Sequence, residues 1–164
     1  MTAGRFDLGS EFERLMSSAG TTGEYRLGVN LKDKKINGIC SPWPWRRVVA
    51  ISQGTLDAGP DVARAVLAHE VAHTRQRLRW IIPFGTVAIL GAGWALGAPQ
   101  NFIAPAGVWL LSVYQLYELD ADRWAASEVG PERMAPALQR LGLNGRWRAW
   151  MLHLRAERER TAGP

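Results

Sequence analysis

The stretch VLAHEVAHTRQ, residues 66–76, holds two of the chain's three histidines, four positions apart. Residues i and i+4 share one face of an α-helix, so His69 and His73 can direct their imidazoles at one ion. Glu70 is rotated off that face by one residue and can stand beside the ion. The pattern is typical of a zinc site in which a carboxylate outside the ligand set takes a proton from bound water. The alternative is an ordinary helix that carries two histidines and a glutamate.

A catalytic zinc needs a third protein ligand and one open position. A longer motif with a glycine and then a further histidine is excluded, because Gln76 and Arg79 stand at those two positions. The segment YELDADRWA, 117–125, offers Glu118 and Asp122 four residues apart. We expect Glu118 to bind the ion and Asp122 to accept a hydrogen bond from a ligand histidine. His153 is a second candidate ligand, and an acidic helix start is the alternative for the two carboxylates.

An apolar segment follows the histidines: residues 80–117 contain no Asp, Glu, Lys, Arg or His. The uncharged APQN, residues 98–101, divides it into pieces of 18 and 16 residues. Because a membrane-spanning helix needs about 20 apolar residues, we expect a transmembrane helical hairpin. Flanking arginines then place both chain ends in the cytoplasm: Arg75, Arg77 and Arg79. The alternative is a hairpin buried in the core of a soluble protein.

The remaining patterns predict an α+β fold that is mostly helical, with a small sheet ahead of the histidine helix. A weak alternation of apolar and polar residues predicts a strand at 24–31, and β-branched residues predict strands at 35–40 and 46–54. Strand residues 47–52 are expected to offer an edge to which an extended peptide can add. Helices are predicted from Ser10, from Pro60 to about residue 79, and through the hairpin. Three more are predicted over 118–129, 132–141 and 146–160. The last of these places four residues on one face: Trp147, Trp150, Met151 and Leu154.

Composition narrows the class of protein. The length of 164 residues suits one domain, 1–164, with 80–117 as an inserted hairpin. Lys plus Arg number 20 and Asp plus Glu 15, a net charge of +5. No basic stripe interleaved with aromatic residues accompanies that charge, so nucleic-acid binding is not expected. Cys40 is the single cysteine, which excludes an internal disulfide and favours a reducing compartment.

The order of these motifs resembles a known family of membrane zinc metallopeptidases. HEVAH, 69–73, followed after an apolar hairpin by ELDADRWA, 118–125, is similar to the pattern of the heat-shock protease HtpX and the CAAX prenyl protease. The small single-domain relatives of these enzymes are called minigluzincins. INGIC, 36–40, and VVAISQGTL, 48–56, stand where that family has a short segment and a strand before its zinc helix. The resemblance covers roughly residues 35 to 128.

This resemblance implies a zincin-like core that holds one Zn²⁺ per chain. It implies His69, His73 and Glu118 as the metal ligands, with Asp122 as the partner of a ligand histidine. Glu70 would be the general base of a zinc endopeptidase that acts on peptides or proteins. The metal would lower the pKa of its bound water to about 7 and polarise the scissile carbonyl.

The resemblance also implies a late histidine that helps to position the substrate. His153 is the candidate for this role, although Leu154 replaces the proline that usually follows. A membrane location is implied too, with the active site facing the cytoplasm. Two alternatives remain open: a soluble minigluzincin-like peptidase, and a catalytically silent zinc-binding interaction protein.

Overall fold

The computed structural model describes residues 6–41, 43, 45–76, 81–141 and 143–161. Arg77 and Arg79, used above to orient the hairpin, lie outside these ranges. The elements are α1 (Leu8–Ser18), β1 (Arg26–Asn30), β2 (Gly38–Cys40), β3 (Val48–Ser52), α2 (Gln53–Asp57), α3 (Pro60–Arg75), α4 (Ile81–Ala95), α5 (Gln100–Val129), α6 (Pro131–Gln139) and α7 (Leu143–Thr161). The mostly helical α+β prediction is confirmed.

Helix α1 starts earlier than the sequence suggested. The Asp7 carboxylate accepts hydrogen bonds from the Gly9 amide, at 3.0 Å, and from the Ser10 hydroxyl, at 2.7 Å. Asp7 is therefore the N-cap, and the expectation that the helix begins after Ser10 is wrong. The buried face of α1, which includes Leu15, packs against α3.

The three strands form a sheet in the order β1-β3-β2, with β1 parallel and β2 antiparallel to β3. The central strand β3 is hydrogen-bonded on both sides, so the prediction of a free edge at residues 47–52 is wrong. The outer strands β1 and β2 are the edges instead, and the short β2 is the edge that lies beside α3. Val49 and Ile51 of β3 are buried in the core beside α3.

The sheet ends at Ser52, two residues before the predicted end of the strand. The Ser52 hydroxyl accepts a hydrogen bond from the Thr55 amide at 3.1 Å and so caps α2, a helix that the sequence did not predict. The Thr55 hydroxyl donates to the Asn37 carbonyl at 2.8 Å. This contact holds the chain at the start of β2.

Helix α3 is the centre of the molecule. Its start after Gly59 is as predicted, because Gly59 takes a φ of +105° that favours glycine and Pro60 fits the first turn. Leu67, Ala68 and Val71 are fully buried, and neighbours cover α3 all round: α1, the sheet, α5 and α6. A helix enclosed in this way is rigid, which suits a site that must hold its geometry.

Helices α4 and α5 form the predicted helical hairpin and pack through glycines. A Cβ added at Gly85 would lie 2.6 Å from the Trp109 ring nitrogen, and one at Gly93 would lie 2.6 Å from the Phe102 ring. The two helices therefore meet where the side chain is smallest.

The outer faces of this hairpin are apolar and exposed. Its exposed large apolar side chains include Phe84, Val87, Leu90, Trp94, Leu96, Ile103, Val108, Leu110, Leu111 and Leu116. The alternative of a hairpin buried in a soluble core is therefore wrong for the described residues. The prediction of transmembrane helices is not supported: across the same residues, no helix combines the length and the apolar composition that crossing a membrane requires.

Helix α5 runs without a break from the hairpin into the core. The sequence suggested a separate helix over 118–129, but Gln100–Val129 is continuous and ends at Gly130, whose φ is +90°.

Helix α7 is rotated from its predicted orientation. Trp147 and Trp150 are 44% and 55% exposed, so they do not form the buried face.

Candidate metal centre

The two histidines of α3 meet as their spacing predicts. His69 and His73 are buried, and their Nε2 atoms lie 3.2 Å apart. Two nitrogen ligands at about 2.0–2.1 Å from a tetrahedral zinc lie roughly 3.3 Å apart. The spacing of the rings therefore fits two ligands of one ion.

Glu118 of α5 brings its carboxylate to the same point. Its Oε2 lies 3.2 Å from Nε2 of His69, and its Oε1 lies 3.4 Å from Nε2 of His73. The ligand atoms of the three residues all lie within 4.8 Å of one another. Nitrogen and oxygen donors from two helices, all buried, form a donor set that suits zinc.

Each histidine has a partner on its other nitrogen. Asp122 Oδ1 lies 2.9 Å from Nδ1 of His69, as the sequence predicted. Gln76 Oε1 lies 2.7 Å from Nδ1 of His73, and the Gln76 amide nitrogen donates to the Tyr117 carbonyl at 2.7 Å. These contacts fix the orientation of both rings and direct Nε2 of each ring toward Glu118, where it could bind a metal. The role of Gln76 was not predicted, although its position three residues after His73 was a usable signal.

Glu70 lies beside the cluster and against the edge strand. It is buried at 7% exposure, and a Cβ added at Gly38 would come within 2.6 Å of its Cγ and 2.8 Å of its Oε1. Both residues line a cavity of about 420 Å³ together with the three clustered side chains. The absence of a side chain at position 38 thus makes room for the carboxylate.

Arg148 of α7 enters the same cavity, and the sequence analysis missed it. Its Nε donates to Asp122 Oδ2 at 2.5 Å, its Nη2 donates to Asp122 Oδ1, and its Nη1 lies 3.0 Å from Glu118 Oε2. Small residues on either side, Gly145 and Ala149, let α7 approach closely. That spacing of small residues around one arginine was the available signal.

The charges of the cluster shift one another. Burial disfavours a charged His69, but the hydrogen bonds with Asp122 and Glu118 outweigh it and raise the pKa of His69 to about 9. Burial likewise opposes ionisation of Glu118, yet contact with His69 lowers the Glu118 pKa to about 2. The pKa of Asp122 is also lowered, against burial, by Arg148 and His69. Metal binding must therefore displace a proton from His69.

His153 is the predicted site residue that the structure does not bring to this cluster. It is exposed on α7 and is not among the described residues that line the cavity. Among the described residues of α7, Arg148, five positions before His153, lines the cavity instead.

A buried pair of histidines and a glutamate, with a further carboxylate at hand, is the arrangement of a metal-dependent hydrolase. A family model described as Peptidase family M48 matches residues 5–142. The chain belongs to this family, whose members are zinc-dependent metallopeptidases. Searches of curated proteins and of solved structures found no match.

Proposed function

We propose that this protein is a zinc-dependent endopeptidase with His69, His73 and Glu118 as the metal ligands. The observation that carries the proposal is the convergence of these three buried side chains within 4.8 Å. The family relationship supports peptide bonds as the target. The resemblance to HtpX and the CAAX prenyl protease supports cleavage within a chain rather than at its end.

In this proposal zinc, when bound, supplies the Lewis acidity that polarises a scissile carbonyl and acidifies a water molecule. Glu70 is the general base: it takes the proton of the attacking water and returns it to the leaving amine. Asp122 and Gln76 hold the two imidazoles in the orientation that the ligand role needs. Because Gly38 has no side chain, the Glu70 carboxylate has the space that proton transfer needs.

The edge strand β2 is the proposed binding place for the substrate backbone. Gly38, Ile39 and Cys40 line the cavity that also holds Glu70. An extended peptide that adds to this edge would pass along the carboxylate. Residue 39 is 62% exposed and is free to contact a substrate side chain.

The test is metal content and casein cleavage of four proteins: wild type, Glu118→Ala, Glu70→Gln and the exposed control Glu13→Gln. We expect stoichiometric zinc and cleavage in wild type and control. Glu118→Ala should lose both, whereas Glu70→Gln should keep zinc and lose cleavage by about 10²- to 10⁴-fold. A zinc-loaded wild type that cleaves no peptide would favour the silent zinc-binding protein instead.

We further propose that the hairpin of α4 and the first part of α5 inserts into the lipid of the cell membrane, with the metal centre on the cytoplasmic side. The uncharged segment 80–117 and the exposed apolar side chains of the hairpin support this location. A water-exposed face of that composition is costly, and lipid would relieve the cost.

Fractionation tests the location. The full chain should sediment with membranes, resist a carbonate wash and be released by detergent. The matched variant replaces two outward residues, Val87→Asp and Leu111→Asp, and should move to the supernatant. Recovery of the wild type in the supernatant without detergent would refute membrane insertion.

A further inference from the structure

Arg148 is bound to two acidic residues of the metal centre, Glu118 and Asp122, although it is not placed as a ligand. It makes a two-pronged contact with Asp122 through Nε, at 2.5 Å, and Nη2. Its third nitrogen, Nη1, lies 3.0 Å from Glu118 Oε2. One guanidinium therefore fixes two carboxylates that stand four residues apart on α5.

These contacts are buried and leave Asp122 few other partners. The Asp122 side chain is 0% exposed and that of Arg148 is 10% exposed. A buried carboxylate that loses its cation is strongly disfavoured and turns or takes up a proton. The hydrogen bond from Asp122 to Nδ1 of His69 therefore depends on Arg148 as well as on α5.

Helix α7 reaches the centre from a different part of the chain. It packs mainly on α6, and Gly145 makes this possible because a Cβ there would lie 1.8 Å from the Leu138 carbonyl oxygen. The family match ends at residue 142, before α7 begins. The helix supplies no described ligand, yet it delivers the cation that holds two site carboxylates.

We propose that Arg148 is a positioning residue for the metal: through Asp122 it orients His69, so zinc affinity depends on the docking of α7. This inference rests on the proposed zinc site and adds the C-terminal helix to it. The fork geometry is essential, because two parallel N–H groups must meet both oxygens of Asp122 while a third meets Glu118. A lysine at 148 keeps the charge but cannot make these three contacts.

The experiment measures zinc affinity by chelator competition, which needs no peptidase activity. The variants are Arg148→Met, Arg148→Lys and the exposed control Arg146→Met on the same helix. We expect Arg148→Met to bind zinc about 10- to 100-fold more weakly, the range for removal of an outer partner of a metal ligand. Arg148→Lys should be weakened at least threefold, and Arg146→Met should stay within about twofold of wild type.

A double variant tests the route through Asp122. If Arg148 acts mainly by holding Asp122, Arg148→Met should weaken zinc binding by a clearly smaller factor in the Asp122→Asn background than in the wild type, although its direct contacts with Glu118 and His69 are lost in both. This pair also removes both buried charges together, so it is the variant best suited to stay folded. The absorption spectrum of the cobalt-substituted proteins reports the ligand geometry in parallel and should change in Arg148→Met but not in Arg146→Met.

The outcomes separate the two proposals. A wild type that holds no zinc overturns the zinc site and this inference with it. A wild type that binds zinc, with Arg148→Met equal to it in affinity, overturns the positioning role alone. Arg148→Lys equal to wild type, or additive losses in the double variant, also overturns it, because Arg148 would then act through its charge or apart from Asp122.

Discussion

The metal centre buries polar side chains, whereas the hairpin exposes apolar ones. At the centre, six polar or charged residues are almost completely buried: His69, Glu70, His73, Glu118, Asp122 and Arg148. In the hairpin, large apolar residues such as Val87 and Leu111 are 67% and 64% exposed. Each region is costly in water by itself, the first unless its charges are paired and the second unless another surface covers it.

The difference shows how each region is held in place. The buried charges of the centre satisfy one another, so a loss of any one leaves another uncompensated. The hairpin is held by close contacts at Gly85 and Gly93, and its outer residues take no part in them. Substitutions should therefore be severe in one region and mild in the other.

The largest effect on folding is expected at Asp122. Asp122→Ala leaves Arg148 and His69 without their buried partner and should lower the free energy of unfolding of the metal-free protein by about 3–5 kcal/mol. Urea titration measures this. The exposed Asp120→Ala, two residues away, is the control and should cost less than about 1 kcal/mol, since its contact with Gln76 is exposed. Equal losses at both positions would contradict the network.

The pH dependence of the metal-free protein should show an optimum. The pKa of His69 rises from 6.5 to about 9 on folding, so its stabilisation is complete below pH 6.5 and is lost as the pH rises toward 9. The pKa of Glu118 falls from 4.5 to about 2, so its stabilisation is complete above pH 4.5 and is lost toward pH 2. Stability should peak between, falling by about 3 kcal/mol on each side.

Urea titrations in the presence of a chelator, across pH 2–9, test this optimum. Glu118→Gln should remove the acid limb, because the titrating carboxyl is gone, and should weaken the alkaline limb, which Asp122 still supports through His69. A wild-type profile as flat on the acid side as that of Glu118→Gln would show that the pair does not titrate as a unit.

A smaller effect is expected at the edge strand. Gly38→Ala places a methyl group 2.6 Å from Glu70 Cγ, so the carboxylate must move. We expect kcat/KM to fall about tenfold or more at unchanged zinc content, and the free energy of unfolding to fall by about 1–3 kcal/mol. Gly28→Ala on β1 is the control, because its Cβ would meet Ala50 at an ordinary 3.4 Å. Unchanged peptide hydrolysis in Gly38→Ala would show that Glu70 does not need the space left by the missing side chain at position 38.

The smallest effect is expected in the hairpin. Val87→Ser should change the free energy of unfolding by less than about 0.5 kcal/mol, measured in mild detergent. The same change in the core, Val71→Ser, should cost more than 2 kcal/mol, because Val71 is fully buried. A hairpin variant as costly as the core variant would mean that its outer face is packed against protein.

The sequence predicted the parts of the site that local periodicity encodes. The spacing of His69 and His73, and that of Glu118 and Asp122, each follows from one helix. Glu118 is at least 45 residues from the two histidines in the chain, and the expectation that the three side chains meet came from the chemistry of zinc. The cluster of His69, His73 and Glu118 confirms that they meet. The ligand roles themselves stay predictions until metal is measured.

Tertiary contacts explain what the sequence did not predict. Which strand is the sheet edge depends on strand order, and the pattern of β3 is the same whether it lies at the centre or at an edge. Arg148 is distant in sequence from its partners, and its neighbours Trp147 and Trp150 suggested the opposite face of α7. The apolar composition of the hairpin fits burial in protein and burial in lipid equally well. The sequence therefore did not predict that its outer side chains are exposed on the protein surface.

The continuity of α5 ties the register of the hairpin to that of the centre. Each residue of an α-helix advances 1.5 Å and turns 100°. One residue inserted between Phe102 and Tyr117 would swing the outer half of the helix by that angle relative to Glu118. The glycine contacts with α4 would then lie on the wrong side. Length changes there are tolerable only in steps near whole turns, such as seven residues, whereas the connection after Ala95 is free of that restriction.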